Sequence, residues 1–92
     1  MVEIWKMEGN PNEVALATEI RASVIQTITL LNKYYSVHNP GLEQILILGL
    51  GRLLSQKLQA SWWIDRSSLN PSDWEEEVKR LVSQEEVDLF LN

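Results

Sequence analysis

The sequence predicts an all-α fold. It is a helical hairpin of two long antiparallel helices with one or two short C-terminal helices, assembled as a dimeric helical bundle. Three observations predict it. Ala17, Ile20, Val24, Ile28, Leu31 and Tyr35 recur at steps of three and four, which on a helix places them within a sector about 80° wide. Asn-Pro pairs at 10–11, 39–40 and 70–71 cut the chain into helix-sized pieces, each offering a cap and a first-turn proline. Between the second and third pairs, the run from Leu42 to Leu54 is apolar almost all round, as expected of a helix buried on several sides.

Taken in order, residues 1–10 read as an N-terminal arm. Val2, Ile4 and Trp5 suit a short strand, and Gly9-Asn10-Pro11 suits a turn. Asn10 or Asn12 then caps a first helix over 12–35, with Glu13 complementing its N-terminal dipole. The β-branched residues between Val24 and Thr29 favour a strand locally, but a stripe lasting some twenty residues outweighs them.

The second helix is expected over 42–63. Its polar residues, Arg52, Ser55, Gln56 and Gln59, come only in its second half. One neighbouring helix cannot cover the apolar first half, and a chain this short buries only about 60–65% of its unfolded surface. Flanking helices or a second copy must therefore pack on it, and a homodimer through Leu46, Leu50, Leu53 and Leu54 is the expected form. Asn70-Pro71 with Asp73, Glu75 and Glu76 opens a third helix over 71–82. Ser83-Gln84-Glu85-Glu86 has the capping-box pattern and opens a fourth over 84–91.

The 92 residues form a single domain, 45% hydrophobic and 23% charged, which is ordinary for a globular protein. The absence of cysteine removes disulfides, thiolate catalysis and cysteine-ligated metals. It also fits a reducing cytoplasm, the expected location. No basic segment precedes an apolar run near Met1, so no signal peptide is expected. The longest continuous apolar run, Ile45 to Gly51, falls far short of the ~18–20 residues that cross a bilayer. A net charge of −5 disfavours nucleic acid as a partner.

Gly49-Leu50-Gly51 lacks the third glycine of a dinucleotide fingerprint, since position 54 is Leu54. These glycines instead suit close helix packing or a kink. The acidic residues of 73–77 and 85–88 lack the Glu-x-x-His pairs of a bundle metal site, and the one histidine, His38, falls in a turn. No nucleophile–base pair stands out, so neither catalysis nor a cofactor is expected. A DNA-reading helix would have to draw on Lys57, Arg66, Lys79 and Arg80, beside a third helix that begins with acids.

The tandem Trp62-Trp63 is the strongest pointer to function. On a continuous second helix Trp62 lies at the edge of the apolar side, whereas Trp63 lies among Arg52, Gln56 and Gln59 on the polar face. An unburied tryptophan forgoes several kcal/mol, at ~25 cal/mol/Å² over ~150–250 Å². Three structural solutions exist: the helix ends before Trp63, the arm with Trp5 covers it, or Trp74 folds over it. The functional solution places Trp63 in an interface. The sequence therefore predicts a small non-catalytic adaptor, regulator or assembly factor that binds another protein. The expected contact residues are Trp62, Trp63, Ile64 and Arg66, with Trp5 and Trp74 as neighbours. The alternative reading is a small DNA-associated transcriptional regulator or antitoxin-like protein.

Overall fold

The computed structural model describes residues 6–91, which form five helices: α1 (Pro11–His38), α2 (Pro40–Gln56), α3 (Ala60–Asp65), α4 (Pro71–Lys79) and α5 (Gln84–Leu91). The described chain is all-helical apart from one isolated parallel bridge between Glu8 and Gln59. The strand expected at Val2, Ile4 and Trp5 lies outside the described residues.

Each long helix starts where its cap chemistry dictates. The Asn10 side chain accepts from the Glu13 N–H at 2.8 Å, and Glu13 accepts in return from the Asn10 N–H at 3.1 Å. This reciprocal pair satisfies two donors that a helix start leaves open. Asn70 and Asp73 repeat it at α4, and Ser83 and Glu86 at α5. Asn39 serves two helices: its N–H donates to Tyr35 at 2.7 Å, and its side chain accepts from the Leu42 N–H at 3.3 Å.

α1 is 28 residues long, about 42 Å at 1.5 Å per residue. It spans nearly the whole 44 Å long axis of the molecule. α2 packs against α1, α4 and α5. These three neighbours cover much of its apolar circumference within one chain, and Ile47 stays 50% exposed. Leu46 and Leu53, expected at a dimer interface, have no exposed surface, and Leu50 and Leu54 are half-buried against the same core. Gly49 makes the α2–α4 contact possible, because a Cβ there would stand 2.3 Å from the Val78 carbonyl oxygen. Gly51 has nothing within 4 Å of such an atom, and nothing in the structure explains it.

The segment expected as one helix over 42–63 is two helices. The Lys57 N–H still donates to Leu53 at 3.0 Å, but Lys57 itself leaves helical geometry at φ −96°, ψ 81°. The N-terminal segment then takes over the backbone hydrogen bonding. Glu8 N–H donates to Leu58 at 2.7 Å, and Ala60 N–H donates to Glu8 at 2.8 Å. Gly9 has φ +149° with its Cβ position 3.0 Å from the Ala60 methyl, so no larger residue follows this path without strain. Met7, buried in the core, anchors the segment.

On the far side of α2, the Arg52 guanidinium forms a two-pronged pair with Glu86 at 2.7 and 2.6 Å and also donates to the Leu81 carbonyl at 2.8 Å. It thus ties α2 to α5 and to the turn between α4 and α5, and such bidentate geometry is the strong form of the ion pair.

Candidate functional site

The expected contact residues separate into a buried set and a surface set. The α2–α3 break rotates Trp63 out of the polar face it would occupy on a continuous helix. Its side chain is fully buried, and Trp74 is nearly so. The two rings stack with centroids 5.8 Å apart and planes at 23°. The Trp63 indole N–H donates to the Lys57 carbonyl at 2.8 Å, so the buried polar atom of the ring also satisfies the end of α2. Trp63 and Trp74 are core residues, and as folded neither is open to a partner. Trp5 lies outside the described residues.

Trp62 and Ile64 are half-buried and pack against the core from outside. The Trp62 ring meets Trp63 edge-on at 5.1 Å. The Arg66 guanidinium lies 4.2 Å from the Trp62 ring centre, and the Lys57 ammonium lies 5.4 Å from it. Arg66 also donates to the Trp62 carbonyl at 3.1 Å and approaches Glu77 at 4.0 Å. The outer tryptophan is therefore already held by two cations of its own chain.

The four cations expected to form a basic patch are all engaged internally. Lys57 and Arg66 lie on Trp62, Lys79 pairs with Glu75 and Glu76, and Arg80 pairs with Glu77. The carboxylates likewise form no cluster of three or more metal-ligating groups among the described residues. The Tyr35 hydroxyl donates to Glu75 at 3.1 Å, and burial followed by the Glu75 charge raises its pKa.

A surface that the seam of Ala17, Val24 and Ile28 does not include runs along the adjoining side of α1. Leu16, Leu30, Tyr34 and Val37 are 47%, 58%, 57% and 77% exposed. Beside Leu30, two adjoining depressions of about 280 and 290 Å³ share Thr27 and Pro71 in their walls. Ile20, Ser23 and Leu30 line the α1 side, and Ser67 and Leu69 line the other. The signal for this face was present in the spacing of Leu16, Ile20, Ser23, Thr27, Leu30, Tyr34 and Val37, which steps by four and three without interruption. The polar Ser23 and Thr27 at its centre hide it from a search for apolar residues alone.

By length and composition α1 is also apolar enough to cross a membrane, and only 17% of its most apolar window is buried inside the fold. Continuous apolar runs do not reveal this, because polar residues interrupt the helix. The mostly buried core helix of a soluble protein and a signal sequence near an N-terminus meet the same criterion of length and composition.

No protein-family model matches the chain, and neither a curated protein nor a solved structure matches it.

Proposed function

We propose that this protein is a small non-catalytic interaction module, an adaptor, regulator or assembly factor, which binds a helix of another protein chain along α1. The observation that carries this reading is the exposed stripe Leu16, Leu30, Tyr34 and Val37 beside the Thr27–Pro71 groove. Leaving apolar side chains in register on one helix face costs solvation free energy that a docked helix recovers. Helix-in-groove recognition uses anchors at this spacing. Trp62 and Arg66 form a second, smaller surface whose groups already satisfy one another.

The experiment is site-specific photo-crosslinking in the native cell. A photoreactive residue at Leu30 or Val37 is expected to yield discrete protein adducts, and one at Ser36, exposed on another face of α1, is expected to yield none. Equal labelling from all three positions would show that α1 carries no site.

A further inference from the structure

The uninterrupted four-three spacing on α1 is a heptad pattern of the coiled-coil type. It assigns Ile20, Thr27 and Tyr34 to the a positions and Leu16, Ser23, Leu30 and Val37 to the d positions. Glu19, Gln26 and Lys33 then fall at the flanking g positions. The e positions Ala17, Val24 and Leu31 turn toward the core. Glu19 and Lys33 form no ion pair among the described residues, whereas Lys79 and Arg80 do.

We propose that the occupant of this face is a second copy of the chain, with the two α1 helices antiparallel about a two-fold axis close to Gln26. This inference rests on the interaction reading above and names its partner. An antiparallel pair sets a positions against d positions and g against g. Placing Ile20 against the partner's Leu30 puts Tyr34 against the partner's Leu16 and Thr27 against the partner's Ser23. The Ile20–Leu30 and Tyr34–Leu16 layers thereby flank the two small hydroxyl residues at the centre, and each end closes on Val37 beside the partner's Glu13. The same register sets Glu19 beside the partner's Lys33, twice by symmetry, and Gln26 beside its own copy. Sliding by one heptad step sets Thr27 against Leu30 and leaves Glu19 without its cation. Charge and polarity thus select one register independently. A parallel pair sets g against e, where Val24, Leu31 and His38 offer no opposite charge to Lys33 and no cation close to Glu19. Isologous contacts of this type bury the same patch on both chains.

Sedimentation equilibrium of the full chain at micromolar concentrations tests the proposal. The expected mass is that of two chains. Leu30→Glu is expected to give one chain with unchanged far-UV circular dichroism. Glu19→Lys and Lys33→Glu should each raise the dissociation constant about tenfold, because each creates two like-charge contacts. The combined exchange restores both pairs in this arrangement alone, so its dissociation constant should return to near the original. A double exchange as weak as the single ones would overturn the antiparallel register. A chain that stays monomeric would overturn the second copy as occupant, as would monomers that bind phosphatidylcholine–phosphatidylglycerol vesicles through Leu30. If Leu30 of a monomeric chain still crosslinks to a different protein, the interaction reading survives. If it does not, both fall.

Discussion

The Trp63 indole N–H donates to the backbone carbonyl of Lys57 at 2.8 Å, across the break between α2 and α3. One contact thereby joins the end of α2 to the orientation of the second tryptophan. Trp63→Phe keeps most of the buried ring area but leaves the Lys57 carbonyl without its donor, and should cost about 1–3 kcal/mol. Trp63→Ala should cost about 3–5 kcal/mol. Urea denaturation followed by circular dichroism measures both. If Trp63→Phe loses no stability while Trp63→Ala loses its full share, packing alone accounts for Trp63 and the hydrogen bond adds nothing.

Two glycines of one helix should respond in opposite directions to alanine. Gly49→Ala drives a methyl into the Val78 carbonyl and should destabilise by about 1–3 kcal/mol or more. Gly51→Ala meets open space and should stabilise by up to about 1 kcal/mol through helix propensity. The difference in thermal midpoint between the two variants tests the α2–α4 packing directly.

Acid sensitivity should trace in part to Glu86. Its side-chain hydrogen bond from Arg52, with the Ser83 N–H, lowers its pKa from 4.5 to about 2. The folded state then binds this proton more weakly than the unfolded state. The resulting stabilisation is complete above pH 4.5 and is lost as pH falls toward 2. Glu86→Gln should be less stable at neutral pH and should show a shallower decline of stability over that interval. An unchanged pH slope would assign the acid sensitivity to other carboxylates.

Arg66→Ala removes a cation lying over Trp62 and should cost about 0.5–1 kcal/mol, the usual scale for such contacts at partly exposed sites. Trp62 should then become more accessible to an added fluorescence quencher. Unchanged quenching would mean that Arg66 does not screen the ring.

The all-helical class was legible because its signals are local. Asn10 with Glu13, and Asn70 with Asp73, carry their capping chemistry within four residues, and the stripe from Ala17 to Tyr35 needs only a count along the chain. The α2–α3 break was not legible. Nothing in Lys57-Leu58-Gln59 is a strong helix breaker, and the decisive partners, Glu8 and Met7, lie some fifty residues upstream. Without the break, Trp63 projects onto a polar face and resembles an interface residue. The burial of Leu46 and Leu53 within one chain is equally hidden, because a sequence does not show that α4 and α5 return to pack on α2. On α1, the core stripe is more apolar than the parallel stripe beside it, whose central members are serine and threonine.

The bridge between Glu8 and the α2–α3 corner also bears on the order of assembly. Glu8 and Gln59 are 51 positions apart, so this clasp forms only after the intervening chain has brought its ends together, against the entropy of closing a long loop. The helical segments on either side can form from contacts within a few residues of each other. Loop-closure entropy thus predicts that the corner enclosing Trp63 closes late, with residues 7 to 9 as its latch. In native-state hydrogen exchange, the Ala60 and Glu8 amides should open together, and the Val24 and Ile28 amides in the middle of α1 should open separately from them.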